Sequence, residues 1–340
     1  MVQKKIHLLA SSEAIELINA KDPGFLSRHI DSIVLYSPGE LPDARQSDKV
    51  NVALLSRDIT GASTKHRVLP PLAAFSSLLL SARSLQWLHT HSAGTDRPIY
   101  QDLKAQDVAI TTSTGANAAI VAQSALAAVL ALNRKFKLLQ AAQAARAWRP
   151  LMGEYLPKDL AGQSAVVVGW GQIGRKIAAY LQLLDIEVTA VRRNPSTAEN
   201  QGGFNAVKMI SYSEFKKNTV QHDWLILACP LTETTFKIIS RQFISGLSDR
   251  THIINVSRGD VIDEPALVEA LKGNKLAGAY LDVFAHEPLG RDSELWDAPN
   301  TIVSPHSAGH ASGNYGRAID IFMKNIPLWL EGKPLINVAF

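Results

Sequence analysis

Ser164-Ala165-Val166-Val167-Val168-Gly169-Trp170-Gly171-Gln172-Ile173-Gly174 is the stretch whose reading decides the fold. Its continuous apolar run, Ala165 to Val168, reads as a strand buried on both faces. The turn that follows carries glycine at 169, 171 and 174. An amphipathic helix is expected over Ile173–Leu184 and a second strand over Ile186–Val191, so the G-x-G-x-x-G pattern lies inside a βαβ unit. Glycine there permits a tight turn at 169, close approach of an anion at 171 and helix–strand contact at 174. The helix start offers the amides of Gln172 and Ile173 and a positive dipole end, which suits a pyrophosphate. A dinucleotide is the expected ligand.

The end of the second strand discriminates between cofactors. NAD-selective sites usually place a carboxylate about 20 residues on, bonded to the ribose hydroxyls. Here Arg192 and Arg193 stand at that point. A guanidinium fork pairs with a 2′-phosphate, so NADP(H) is the preferred cofactor expected, with NAD(H) possible.

Outward from this unit, apolar runs alternate with helical stretches in both directions. Upstream, strands are expected at Lys5–Ala10, Ser32–Tyr36, Val50–Leu55, Leu85–His89 and Val108–Thr112, with helices at Ser12–Ala20 and Pro71–Arg83. Downstream, strands are expected at Ala206–Met209, Trp224–Ala228, His252–Val256, Ala277–Val283 and Thr301–Ser304. Helices are expected between them at Ser211–Lys217, Arg241–Leu247 and Glu264–Lys272. This is an α/β chain of doubly wound parallel sheets.

Composition agrees with two globular cores. The chain has 340 residues, 46% hydrophobic and 19% charged, with a net charge of +4. Its single cysteine, Cys229, excludes an internal disulfide framework and a multi-cysteine zinc site. Basic pairs are scattered rather than gathered in a stripe, so no nucleic acid is expected. Residues 116–132 are apolar but short of the ~20 residues of a membrane span and read as an Ala-rich helix. No membrane partner is expected, and the compartment expected is the cytoplasm. No H-E-x-x-H or G-x-S-x-G occurs, which argues against metal catalysis and an α/β-hydrolase.

Three polar groups fall at carboxyl ends of expected strands, where open α/β sheets bind ligands: Arg258, Asp282 and His306, with Glu287 just beyond Asp282. Arginine clamps a carboxylate and a carbonyl, and histidine delivers or removes a proton. Beside a nicotinamide, that set suits exchange between a 2-keto acid and a 2-hydroxy acid.

On these residues the chain resembles the D-isomer-specific 2-hydroxyacid dehydrogenase family. The stretches carrying the resemblance are 168–174, 229–235, 255–259, 281–288 and 299–306, and the arginine pair and Trp148-Arg149-Pro150-Leu151 look most like the glyoxylate/hydroxypyruvate reductase branch. The resemblance implies that Arg258 binds substrate, that His306 is the general acid next to the cofactor and that Glu287 orients it. It also implies that Asp282 holds the nicotinamide carboxamide, helped by Val256 and Ser257, and that Pro230 and Thr235 line the cofactor path. In Ser92-Ala93-Gly94-Thr95-Asp96 the amides of Ala93 and Gly94 would cradle the substrate carboxylate.

The architecture implied is two Rossmann-like domains with a cleft between them. Residues 1–111 plus 307–340 would form the substrate domain and 112–306 the dinucleotide domain, in a homodimer acting on a small 2-keto acid. The helix at 116–132 would serve either a subunit interface or a core. Gln123 and Ser307 depart from the family's usual glutamate and apolar residue. Formate dehydrogenases share the implied fold but resemble a version with glutamine as the histidine's partner, which Glu287 argues against. The alternative function is a dinucleotide-sensing, corepressor-like binding protein, which turnover of glyoxylate or hydroxypyruvate would rule out.

Overall fold

Two all-parallel sheets organise the described residues, one of five strands and one of seven. The computed structural model describes residues 4–39, 47–64, 66–195, 207–217 and 221–339. The chain divides into two compact units, Met1–Asn117 with Ala311–Phe340, and Ala118–His310.

In the first unit the strands are β1 (His7–Ser11), β2 (Ser32–Tyr36), β3 (Val52–Leu55), β4 (Trp87–Thr90) and β5 (Ala109–Thr112), in the order β2-β1-β3-β4-β5. Strand side chains alternate between two cores. Leu9, Ala53, Leu55 and Leu88 pack with the helix Pro70–Ser81 on one face. Leu8, Ala10, Val52, Leu54 and Trp87 pack on the other with Ile319, Phe322 and Ile326 of the helix Asn314–Leu330. Burial on both faces explains why these strands read as continuous apolar runs. Ser11 caps the helix Ser12–Lys21 by accepting from the Ala14 amide at 3.2 Å.

The second unit contains β6 (Ser164–Val168), β7 (Glu187–Arg192), β8 (Lys208–Ser211), β9 (Trp224–Leu227), β10 (His252–Asn255), β11 (Gly278–Leu281) and β12 (Thr301–Val303). Their order is β12-β11-β10-β9-β6-β7-β8. Connections run one way from β6 to β7 and β8 and the other way from β9 onward, so the strand order reverses between β6 and β9, the place where such sheets bind ligands. The expected strand at Ala206–Met209 forms two residues later, as β8, and Ala206 itself lies outside the described residues. The Ala-rich helix spans Ala118–Asn133 and spends its buried stripe, Val121, Ala122, Ala125, Val129 and Leu132, on this unit's own core. Small side chains there let it lie close to the helix Gln172–Gln182. Among the described residues no single helix is long and apolar enough to cross a membrane.

Cys229 is 3% exposed, and burial pushes its thiol up to about 12, which suits packing rather than nucleophilic chemistry.

His89 is fully buried on β4, and its bonds determine its tautomer. The Ser113 hydroxyl donates to Thr90 O at 3.0 Å, so it accepts from His89 Nε2–H at 3.0 Å. Nδ1 then accepts from the Thr111 hydroxyl at 2.8 Å, and that oxygen accepts from Trp87 Nε1–H. The ring is neutral, and burial lowers its pKa to about 3. Burial likewise lowers His252, stacked on Trp224, to about 4. The unfolded chain therefore binds protons below 6.5 that the folded chain refuses. Stability is fully present above that value and falls as pH descends toward the folded values. Each such histidine contributes a slope of up to about 1.4 kcal/mol per pH unit. Urea midpoints should drop between pH 7 and about pH 5.5, above the range where carboxylates titrate. A midpoint unchanged over that window would contradict neutral burial.

Candidate active site

The glycine turn follows β6 at the point of strand-order reversal. Gly169 has φ +105°, and a Cβ there would lie 2.6 Å from Ala228 O, because the ends of β6 and β9 approach closely. A Cβ on Gly174 would lie 1.9 Å from Gly169 O, so the helix Gln172–Gln182 starts directly against the turn. Gly171 differs, since a Cβ there would meet nothing within 4 Å. Gly171 is also the helix N-cap and supplies no side-chain bond to the first amides. Two glycines are therefore required by the protein's own packing, and the third borders a cradle that fits a pyrophosphate. Gly171→Ala should fold with an unchanged Tm and bind dinucleotide at least tenfold more weakly, as read by titration of cofactor fluorescence. An unchanged Kd would remove Gly171 from the site.

Arg192 ends β7, partly exposed, and Arg193 follows it, exposed. Pro230 and Thr235 lie beyond β9. Thr235 is 1% exposed, and its hydroxyl donates to Pro230 O at 2.6 Å and accepts from the Thr232 amide at 2.8 Å. Its side chain thus braces the turn that carries Pro230.

Arg258, Asp282 and His306 follow β10, β11 and β12, three adjacent strands, and so emerge on the same sheet edge as Gly169. Asn255 shapes the first of these turns. Its Oδ1 accepts from the Ser257 amide at 3.0 Å and hydroxyl at 2.7 Å, and its Nδ2 donates to Arg258 O at 3.0 Å. Val256 and Ser257 are buried beneath it, and Arg258 Nη1 donates to Ser257 O at 2.7 Å.

His306 Nδ1 stands 2.8 Å from Glu287 Oε2, with the histidine half-exposed and the glutamate mostly buried. Burial raises the Glu287 pKa, but the bond and charge of His306, the Phe284 amide and the charge of Arg258 together outweigh it and hold the carboxyl below its ordinary value. With Glu287 ionised, Nδ1 is the donor of that bond, and Nε2 is the nitrogen left for proton exchange.

Asp282 holds the segment bearing His306. Its Oδ1 accepts from the Ser304 hydroxyl at 2.5 Å, the Ser307 amide at 2.7 Å and the Ala308 amide at 2.9 Å, while its carbonyl accepts from the His306 amide at 2.8 Å. The single Ser304 proton goes to the carboxylate, so the Tyr280 hydroxyl, 2.8 Å away, donates to Ser304 Oγ. These bonds keep His306 at φ +50°, a region costing roughly 1–2 kcal/mol for a side-chain-bearing residue.

The turn at 92–96 belongs to the first unit, where Ser92 Oγ donates to Gly94 O at 2.9 Å and Ala93 is exposed. His91 bonds Thr60 at 3.0 Å and His89 is wholly internal, whereas His286 and His310 are exposed. Asn255, Tyr280 and Ser304 escaped sequence reasoning as site residues. The only local signal for them was their position within the same strand-end motifs.

Comparison with known proteins agrees with this geometry. Residues 126–308 match the family described as D-isomer specific 2-hydroxyacid dehydrogenase, NAD binding domain. A hydroxypyruvate reductase of Blautia hydrogenotrophica is 33% identical over 183 residues, covering 53% of this chain and 54% of that protein, so the match spans about half its length. A glyoxylate reductase of Korarchaeum cryptofilum is 26% identical over 262 residues, covering 74% of this chain and 75% of that protein. Among solved structures, a D-isomer specific 2-hydroxyacid dehydrogenase from Xanthobacter autotrophicus Py2, in complex with NADPH and MES, superposes with a TM-score of 0.76. It is 25% identical, with 99% of this chain and 98% of that one covered.

Proposed function

The chain belongs to the D-isomer specific 2-hydroxyacid dehydrogenase family, and from that premise we propose that it reduces small 2-keto acids such as glyoxylate or hydroxypyruvate to D-2-hydroxy acids, with NADP(H) preferred over NAD(H). The observation that carries this reading is the His306 Nδ1–Glu287 contact on the sheet edge that also holds Arg258 and the glycine turn. The named activities of the hydroxypyruvate and glyoxylate reductases support the substrate class.

In this reading the second unit binds the dinucleotide through Gly169, Gly171, Gly174 and the amides of Gln172 and Ile173. Pro230, Thr235, Val256, Ser257 and Asp282 border its path, and Arg192 or Arg193 meets the 2′-phosphate. When bound, the nicotinamide supplies the hydride for C2. Arg258 holds the substrate carboxylate and keto oxygen, which fixes the carbonyl face and draws charge toward oxygen. His306 Nε2 gives its proton to the forming alkoxide, and Glu287 balances the imidazolium charge while keeping the ring in place. In the first unit, the Ala93 and Gly94 amides are assigned to the substrate carboxylate. The assigned roles are substrate binding for the first unit and dinucleotide binding for the second.

The arginine pair and the absence of a carboxylate at the end of β7 support NADP(H). A panel of 2-keto acids assayed with NADPH and NADH side by side tests both specificities. Turnover of glyoxylate or hydroxypyruvate with a higher kcat/KM for NADPH is expected. Preference for NADH would overturn the cofactor assignment, and absence of turnover with a bound dinucleotide would favour a sensing protein.

Trp148 is 97% exposed, and Phe136, Met152, Tyr155 and Leu156 are exposed around it in sequence. These exposed apolar groups over residues 136–156 support a contact surface, and a second copy of this chain is the occupant proposed. Light scattering should report twice 37.0 kDa, falling toward one chain in Trp148→Asp. A monomeric wild type would refute the dimer.

A further inference from the structure

Glu264 opens the helix Glu264–Lys272, where Asp263 supplies the cap, and its carboxylate turns away from that helix. Its Oε2 accepts from the Ala285 amide, 21 residues on, at 3.0 Å. The neighbouring Phe284 amide donates to Glu287 Oε1 at 3.1 Å, and the other oxygen of Glu287 meets His306 Nδ1 at 2.8 Å. The two successive N–H groups of Phe284 and Ala285 are therefore each held by a carboxylate, one of them the histidine's own partner.

The Phe284–Ala285 peptide, which carries the N–H bonded to Glu264, rests on bare backbone. A Cβ on Gly259 would lie 1.9 Å from Phe284 C and 2.2 Å from Ala285 N. Gly259 follows Arg258 and starts the 3-10 turn Gly259–Val261, which leads into Asp263 and Glu264. One short segment, 258–264, thus carries the arginine, the bare Cα under the loop and the carboxylate that holds the loop down.

We infer that Glu264 is a positioning residue for proton delivery, acting through the Phe284–Ala285 peptide and Glu287 to keep His306 Nδ1 in its bond. This inference rests on the reading of His306 as proton donor. The bond from an amide to a carboxylate is charge-assisted and directional, so its loss lets the Phe284–Ala285 segment shift over Gly259. The two peptides share Phe284 Cα, so a shift of that atom carries the Phe284 N–H with it and moves its acceptor, the Glu287 carboxylate.

The test compares Glu264→Ala with Glu264→Gln in the full chain, well below Tm. Glutamine keeps an oxygen acceptor for the Ala285 amide and should rescue. Glu264→Ala is expected to lower kcat about tenfold, with KM for the keto acid within about twofold and an altered pH–rate profile. Nitrogen-15 NMR of the His306 ring, which needs no turnover, should show the Nδ1 environment changed in Glu264→Ala and retained in Glu264→Gln. A Glu264→Ala protein with wild-type kcat, profile and ring spectrum would overturn the inference, as would a Gln variant no better than Ala. A wild type that turns over no keto acid would instead sink the functional reading, and the ring spectra would still decide the positioning role.

Discussion

His306→Ala is expected to lose about 10²–10⁴ of kcat for 2-keto acid reduction, the usual contribution of a positioned general acid. The expectation follows from one contact. Glu287 occupies Nδ1 at 2.8 Å, so the ring meets the reacting oxygen through Nε2 and has no second orientation that keeps the bond. Because the Glu287 carboxyl is held below its ordinary value, the bond stays intact as pH falls through the usual glutamate range and is lost only below it. His306 sits at φ +50°, where alanine is strained and asparagine is tolerated. His306→Asn is therefore the control that preserves the turn, and it should be equally inactive while keeping Tm and dinucleotide Kd. Near-wild-type kcat in the Asn variant would assign the proton to another group.

The second large effect is expected at Arg258. Hydrogen bonds to charged groups are worth about 1.5–3 kcal/mol each, and a guanidinium making two to the substrate corresponds to roughly 10²–10⁴ in kcat/KM when truncated to alanine. Both KM and kcat should worsen, because the carboxylate is bound in the ground state and the keto oxygen gains charge in the transition state. Arg258→Lys should recover little, since a point charge does not reproduce the fork. Glu287 would also lose a neighbouring positive charge, so its pKa should rise in the alanine variant. A variant with unchanged kcat/KM would remove Arg258 from substrate binding.

Local pattern reached the scaffold more completely than the contacts within it. Ser32–Tyr36, Ser164–Val168 and the helix Glu264–Lys272 form over the spans that periodicity and capping predict. The strand expected at Ala277–Val283 is shorter, Gly278–Leu281: the Asp282 amide still donates to Asn255 O, but its carbonyl accepts from His306 and its side chain holds the Ser304–Ala308 turn. The helix Asn314–Leu330 was not anticipated, although Ile319, Phe322 and Ile326 show its spacing. Pro327 near its end and the missing side-chain cap at Gly313 hide its limits. The strand-end placement of Arg258 and His306 was legible because strand ends are where such sheets bind ligands, and the structure sets His306 against Glu287. The grips of Glu264 on Ala285 and of Asp282 on Ser307 join residues more than twenty positions apart, and spacing carries no trace of them.

The most direct measurement is NADPH consumption with glyoxylate and with hydroxypyruvate, run in parallel for the wild type and His306→Asn at matched cofactor occupancy. The account predicts steady turnover by the wild type and a fall of at least about 10² in the variant. Equal rates in the two proteins, or none in a wild type that holds the dinucleotide, would contradict it.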